Sequence, residues 1–211
     1  MCRNSCIAFT GPFANLDHCP KCNEPKLCPI TKKPQLEFHT ILLGPVLQAL
    51  WRNASSAKKF YHRRWKTWEI IRELLRNSGH LSSYDDFYCG SDYLENVRSG
   101  KIQDNDIVLM LSIDGAQLYA HKTSDCWIYI WIIMDFSPEE RYMKRHVIPG
   151  GFIPGKPKNI DSFYFQGCIM SAHFRMRVFV FGTLSRTKIL PQNYFLHLTL
   201  QTDLRWPCWM A

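Results

Sequence analysis

The sequence predicts an α+β fold in which a cysteine-rich N-terminal module and a basic helical segment precede a group of apolar strands. Three observations lead to this prediction. Five of the nine cysteines lie within the first 35 residues, residues 46–77 carry apolar side chains with helical spacing in their second half, and two apolar runs of strand length follow residue 105. We therefore divide the chain into segments 1–35, 36–104, 105–165 and 166–211.

Composition narrows the class of protein. The chain has 211 residues, of which 46% are hydrophobic, and this is enough apolar material for a packed core. Its net charge of +8 favours an anionic partner such as nucleic acid, although solvated lysines produce the same balance.

No apolar run follows a charged N-terminal start, and the longest run, residues 126–134, is shorter than the roughly 20 residues of a membrane helix. We expect a protein that is not secreted, has no membrane partner and occupies a reducing compartment.

Two close cysteine pairs characterise the N-terminal module. Cys2 and Cys6 are separated by three residues, and Cys19 and Cys22 by two. Such pairs can converge as four thiolates in the tetrahedron that structural zinc prefers. His18 or Cys28 is an alternative candidate for one of the four ligand positions. The alternative to a zinc site is that these cysteines are buried thiols that bind no metal ion.

The helical segment is strongly basic. Its spacing predicts two helices interrupted near residues 53–56. Residues 46–77 contain eight basic residues and only two acidic ones, Glu69 and Glu73. An alternative interpretation is a solvated surface above a packing stripe of Trp65, Trp68 and Ile71. The candidate residues for nucleic-acid binding are Lys58, Lys59, Arg63, Arg64 and Lys66.

The second half of the chain is predicted to form strands. Gly79 is expected to end the basic helix, and a short helix is expected to reach Arg98. Apolar runs at 107–113 and 127–134 predict neighbouring strands, 146–148 is a candidate third strand, and 149–155 is predicted to be a loop. Asp114, at the predicted end of the first strand, is either a ligand for a divalent metal ion or part of a turn.

Several blocks occur in the order found in one protein family. The cysteine-rich start, residues 1–22, comes first, and further blocks extend the similarity to about residue 165. These blocks are Ser82-Ser-Tyr-Asp-Asp-Phe87, Gly90-Ser-Asp-Tyr93, Leu111-Ser-Ile-Asp-Gly-Ala-Gln-Leu-Tyr119, Ser124-Asp-Cys-Trp-Ile-Tyr-Ile-Trp131, Val147-Ile-Pro-Gly-Gly-Phe-Ile-Pro-Gly155 and Pro157-Lys-Asn-Ile-Asp-Ser-Phe163. In this respect the chain resembles CACTA-type (En/Spm-like) DNA transposases, especially their fungal forms.

The resemblance implies a nuclease domain of RNase H-like architecture. Three acidic residues of the family hold two magnesium or manganese ions for DNA cleavage and strand transfer. Asp114 resembles the first acid, and the other two have no counterpart here. The family implies a nuclear location and two kinds of partner, transposon-end DNA and intact transposase subunits. We expect a truncated remnant with a zinc module and no catalysis of its own, or alternatively a non-catalytic zinc-containing protein that binds DNA or a transposase.

The similarity stops at residue 166. Residues 166–211 lack the family blocks expected there. Codons that encode the present residues can, when all are read with the same shift of the codon boundary, also encode three of those blocks in the correct order. We predict that this tail is family coding DNA read in a shifted frame, and that it packs poorly on the preceding domain.

Overall fold

The computed structural model describes residues 1–117, 125–164, 176–180 and 195–196. It has the predicted α+β class, with a six-stranded sheet. The helices are α1 Leu43–Arg52, α2 Ala54–Lys59, α3 Tyr61–Arg76, α4 Ser91–Arg98 and α5 Pro138–Arg141. The strands are β1 His39–Thr40, β2 Ile107–Gln117, β3 Asp125–Ile133, β4 Ile148–Pro154, β5 Met176–Val180 and β6 Phe195–Leu196. Of the predicted tail, 166–211, only residues 176–180 and 195–196 are described, and 176–180 pairs with β2. The reading frame of the tail and the packing of its other residues stay predictions.

Local signals define the ends of the basic helices. The Asn53 side chain accepts hydrogen bonds from the backbone N–H groups of Ser55 and Ser56, so it caps α2 at the predicted interruption. A second break at Phe60 makes three helices where two were predicted. α3 ends at Arg76, and Gly79, at φ +88°, donates its N–H to the Leu74 carbonyl over 2.8 Å. A glycine with positive φ is the usual residue at such a helix end, as predicted.

The strand order in the sheet is β1-β4-β3-β2-β5-β6. β2 pairs antiparallel with β3, and β3 pairs antiparallel with β4. On its other side, β2 pairs parallel with β5. The predicted neighbouring strands are therefore confirmed as an antiparallel pair at the centre of the sheet.

Two predictions about strand ends were wrong. Asp114 and Gly115 lie inside the β2–β3 ladder, opposite Ile128 and Trp127, and do not form a turn. The predicted loop at 149–155 is mostly β4. Its glycines allow close packing on β3, because a Cβ at Gly150 would lie 2.3 Å from the Tyr129 ring.

Both faces of the central strands are covered, which explains their nearly continuous apolar sequences. Alternate residues of β2 and β3 pack with α1, Phe60 and the N-terminal residues on one face, and with α3 and α4 on the other. The first core contains Leu43, Leu47, Phe60, Leu109, Leu111, Tyr129, Trp131 and Phe136. The second contains Ile70, Tyr88, Tyr93, Val108 and Ile132. No helix among the described residues has the length and apolar character required to cross a membrane.

Candidate metal centre

Four cysteine thiols meet in the N-terminal module. The Sγ atoms of Cys2, Cys6, Cys19 and Cys22 all lie within 4.8 Å of one another, and Cys2 Sγ is 3.4 Å from Cys22 Sγ. Four sulfurs bonded to one zinc ion at about 2.3 Å would be separated by about 3.8 Å, so only small movements are needed to reach that geometry. All four are free thiols, and the cluster therefore fits a structural zinc ion.

Tight turns bring the two cysteine pairs together. In the second pair, Cys19 donates its N–H to the Glu24 carbonyl and accepts a hydrogen bond from the N–H of Asn23, each over 2.8 Å. Asn23 has a φ of +58°, a conformation that asparagine tolerates better than most residues. In the first pair, Ser5, at φ +52°, donates its N–H to the Cys2 carbonyl. These turns direct the thiols of each pair to the same side.

Neither alternative ligand belongs to the cluster, although one of them occupies a related turn. Cys28 donates its N–H to Lys33 and accepts from the N–H of Lys32, which has a φ of +55°. This repeats the Cys19 turn nine residues later, with Thr31 in the place of Cys22. This repeat was not predicted, although Cys-Pro begins both turns in the sequence. The second turn supplies one thiol where a zinc half-site needs two.

The environments of the four thiols differ. Burial raises the pKa of Cys2 to about 12, and it also raises the pKa of Cys6. The backbone N–H of Glu24 lowers the pKa of Cys22 to about 6. Because a zinc ion binds thiolates and displaces their protons, a bound metal ion would remove the cost of ionising the two buried thiols.

The cysteine module is fixed to one end of the sheet. Ser5 Oγ donates to the Pro154 carbonyl over 2.7 Å, and the N–H of Asn159 donates to the Cys6 carbonyl over 2.9 Å. The Ala8 N–H donates to Ser162 Oγ over 2.9 Å. These bonds join residues near the clustered cysteines to the end of β4 and to the chain that follows it. The centre is therefore part of the sheet domain and not an isolated appendage.

Asp114 lies away from this centre. It is exposed on β2, and its Oδ1 accepts a hydrogen bond from the Gly115 N–H. Within the described ranges, the four cysteines form the only group of three or more side chains able to hold a metal ion. Two further acids that follow Asp114 in the chain are engaged elsewhere: Asp135 pairs with Arg63, and Asp161 accepts a hydrogen bond from the Tyr164 hydroxyl.

The five predicted nucleic-acid-binding residues divide into three groups. Arg63 is buried and bonded to Asp135, so it does not reach the surface. Three residues have acidic partners: Lys59 pairs with Glu140, Arg64 pairs with Asp104, and Lys66 pairs with both Glu69 and Asp85. Lys58 takes part in no ion pair among the described residues.

Comparison with protein-family models, curated proteins and solved structures gives no match.

Proposed function

We propose that this chain is a zinc-stabilised DNA-binding protein derived from a CACTA-type transposase, and that it does not cleave DNA by itself. Its site of action would be the nucleus, with transposon-end DNA and intact transposase subunits as partners. The complete family enzyme would use magnesium or manganese, whereas this chain would use zinc in a structural role.

The arrangement of the sheet is the observation that carries the proposal. An RNase H-like domain begins with three successive antiparallel strands. β2, β3 and β4 are successive antiparallel neighbours. Asp114 lies on β2, the strand that would carry the first catalytic acid. The strand pairing and the position of Asp114 thus agree with the resemblance found in the sequence.

The surroundings of Asp114 support a binding function without catalysis. A two-metal nuclease needs several carboxylates around its ions. Asp114 is not part of any metal-binding group formed by the described residues. One exposed carboxylate at the sheet surface is a weak ligand for a divalent ion, and it cannot position both an attacking water and a leaving oxygen.

The helical segment supplies charge for DNA binding. Arg52, Lys58, Arg72 and Arg76 belong to none of the ion pairs formed within the described part of the chain. Unpaired cations are available to displace the counterions of DNA, whereas a cation held by a carboxylate first has to give up that partner. We therefore assign phosphate contact to these four residues ahead of Lys59, Arg64 and Lys66.

The test is the salt dependence of DNA affinity. Fluorescence anisotropy with a labelled duplex would be measured for the zinc-loaded chain between low and moderate salt. We expect log affinity to fall linearly with log salt, with a slope of about 0.9 for each phosphate neutralised. Changing Arg52, Lys58, Arg72 and Arg76 together to Gln should flatten this slope by about 2 to 4.

The matched control is the triple variant Lys59→Gln, Arg64→Gln, Lys66→Gln, which removes cations that already have acidic partners. Its slope should change by less than about 1 for the same reason. Absence of duplex binding at low salt, or equal effects of the two variants, would contradict the proposed role of this segment.

A further inference from the structure

α3 has an outward face that combines aromatic and basic side chains. Because a helix turns by about 100° per residue, seven of its residues fall within about one third of its circumference. All seven are exposed. This outer face of α3 consists of Tyr61, Arg64, Trp65, Trp68, Arg72, Leu75 and Arg76.

The aromatic rings on this face are far more exposed than is usual. Trp65 is 57% exposed, Trp68 53% and Tyr61 53%, although tryptophan is largely buried in most proteins. Tyr61 also lies edge-on to Trp51, with 6.4 Å between the ring centroids, so the aromatic surface continues onto α1. A contiguous exposed surface of this kind marks a binding site.

The charge of the outer face indicates the class of partner. The face has three arginines and no carboxylate. Arg64 is 3.0 Å from Asp104, whereas Arg72 and Arg76 form no ion pair with any described residue. Two copies of the chain joined through this face would bring arginines against arginines, and such like-charge contacts disfavour self-association. The face therefore suits an anionic partner.

The rings restrict the partner further. In a duplex the flat faces of the bases are stacked on one another, and only their edges are accessible in the grooves. In a single strand the base faces are free to stack on aromatic side chains while arginines contact the phosphates. An acidic peptide supplies the charge but not a series of flat rings.

We infer that the outer face of α3 binds unpaired DNA, with Trp65 and Trp68 stacking on bases and with Arg72 and Arg76 at the phosphates. The two indoles are three residues apart, or about 4.5 Å along the helix axis, so they can engage neighbouring bases. The inference rests on the proposed DNA-binding function and adds that this face recognises single-stranded DNA.

The test compares single-stranded and duplex DNA. The zinc-loaded full chain is titrated with a fluorescent 12-nucleotide oligothymidylate and with a duplex of the same length. The double variant Trp65→Leu, Trp68→Leu should bind the single strand at least about tenfold more weakly, because two stacking contacts are lost. Its duplex affinity should change less than about twofold. The double variant Trp65→Phe, Trp68→Phe keeps the rings and should keep most of the single-strand affinity.

Two controls separate stacking from folding. Tyr142, 57% exposed and outside α3, is changed to Leu and should leave both affinities unaltered. The urea midpoint of the double Leu variant should match that of the wild type, because both indoles are more than half exposed.

Unchanged single-strand affinity in the double Leu variant would overturn the inference. Tighter tryptophan-dependent binding of a glutamate-rich peptide, or a dimer that dissociates on the same substitution, would also overturn it. If the duplex still binds with the expected salt slope in any of these cases, the proposed function stands. If neither DNA binds at low salt, both proposals fail.

Discussion

The guanidinium of Arg63 and the carboxylate of Asp135 form a buried ion pair that joins α3 to the turn after β3. Arg63 Nε lies 2.6 Å from Asp135 Oδ1, and neither side chain is more than 3% exposed. The second carboxylate oxygen accepts the N–H of Val108 over 2.7 Å, and Arg63 also donates to the Gln103, Asp104 and Asp106 carbonyls. Burial raises the pKa of Asp135 to about 6, while the charge of Arg63 and these hydrogen bonds favour the ionised form.

Breaking this pair should be strongly destabilising. Arg63→Met leaves the Asp135 charge and three carbonyls without their donor, and we expect a loss of about 3 to 5 kcal/mol in the free energy of unfolding. The exposed pair Arg64–Asp104 is the control, and Arg64→Met should cost less than about 1 kcal/mol. Urea unfolding of both variants measures the difference. If both variants lost less than about 1 kcal/mol in the free energy of unfolding, the buried ion pair would not contribute to stability as proposed.

Removal of zinc should disorder the cysteine module. We expect about one zinc ion per chain in native mass spectrometry, lost in the variant Cys22→Ser but retained in Cys28→Ser, because Cys28 lies outside the cluster. Chelation should increase hydrogen exchange across residues 1–35, since metal binding and folding are coupled in such modules. A chain without metal, or one equally affected by both substitutions, would refute the zinc assignment.

A methyl group at Gly155 should weaken the attachment of the module to the sheet. Gly155 has a φ of +74°, and a Cβ there would lie 2.5 Å from Ser5 Oγ, the atom that bonds to Pro154. Gly100 has a similar φ of +71° with no atom within 4 Å of such a Cβ, so Gly100→Ala isolates the backbone cost. We expect Gly155→Ala to lower the free energy of unfolding by about 1 to 3 kcal/mol more than Gly100→Ala. Similar values in urea titrations would mean that Ser5 moves aside freely.

The purified chain should leave DNA uncut in magnesium or manganese. Asp114 has no carboxylate partners in a metal-binding group among the described residues, and a two-metal mechanism needs several. A supercoiled-plasmid nicking assay should therefore give the same background for the wild type and for Asp114→Asn. Metal-dependent nicking that Asp114→Asn abolishes would overturn the proposal of a non-catalytic protein.

Features specified by nearby residues could be predicted from the sequence. Asn53 and Gly79 define the helix ends next to them. The apolar run before Asp114 and the apolar run after Asp125 indicate two strands by their own composition, and these strands pair. The grouping of Cys2, Cys6, Cys19 and Cys22 was also predicted, because tight turns bring together cysteines separated by two or three residues. Excluding His18 and Cys28 required the structure, since their distance from the cluster depends on the path of the whole module.

The orientation of α3 was decided only by the tertiary structure. Its sequence has two possible inward stripes, and one interpretation placed Trp65 and Trp68 in the core. The structure instead buries Arg63, Thr67 and Ile70 and exposes both tryptophans. Helical period defines which residues share a face but not which face meets the sheet. That choice depends on Asp135, 72 residues away along the chain, which supplies the buried charge that Arg63 needs.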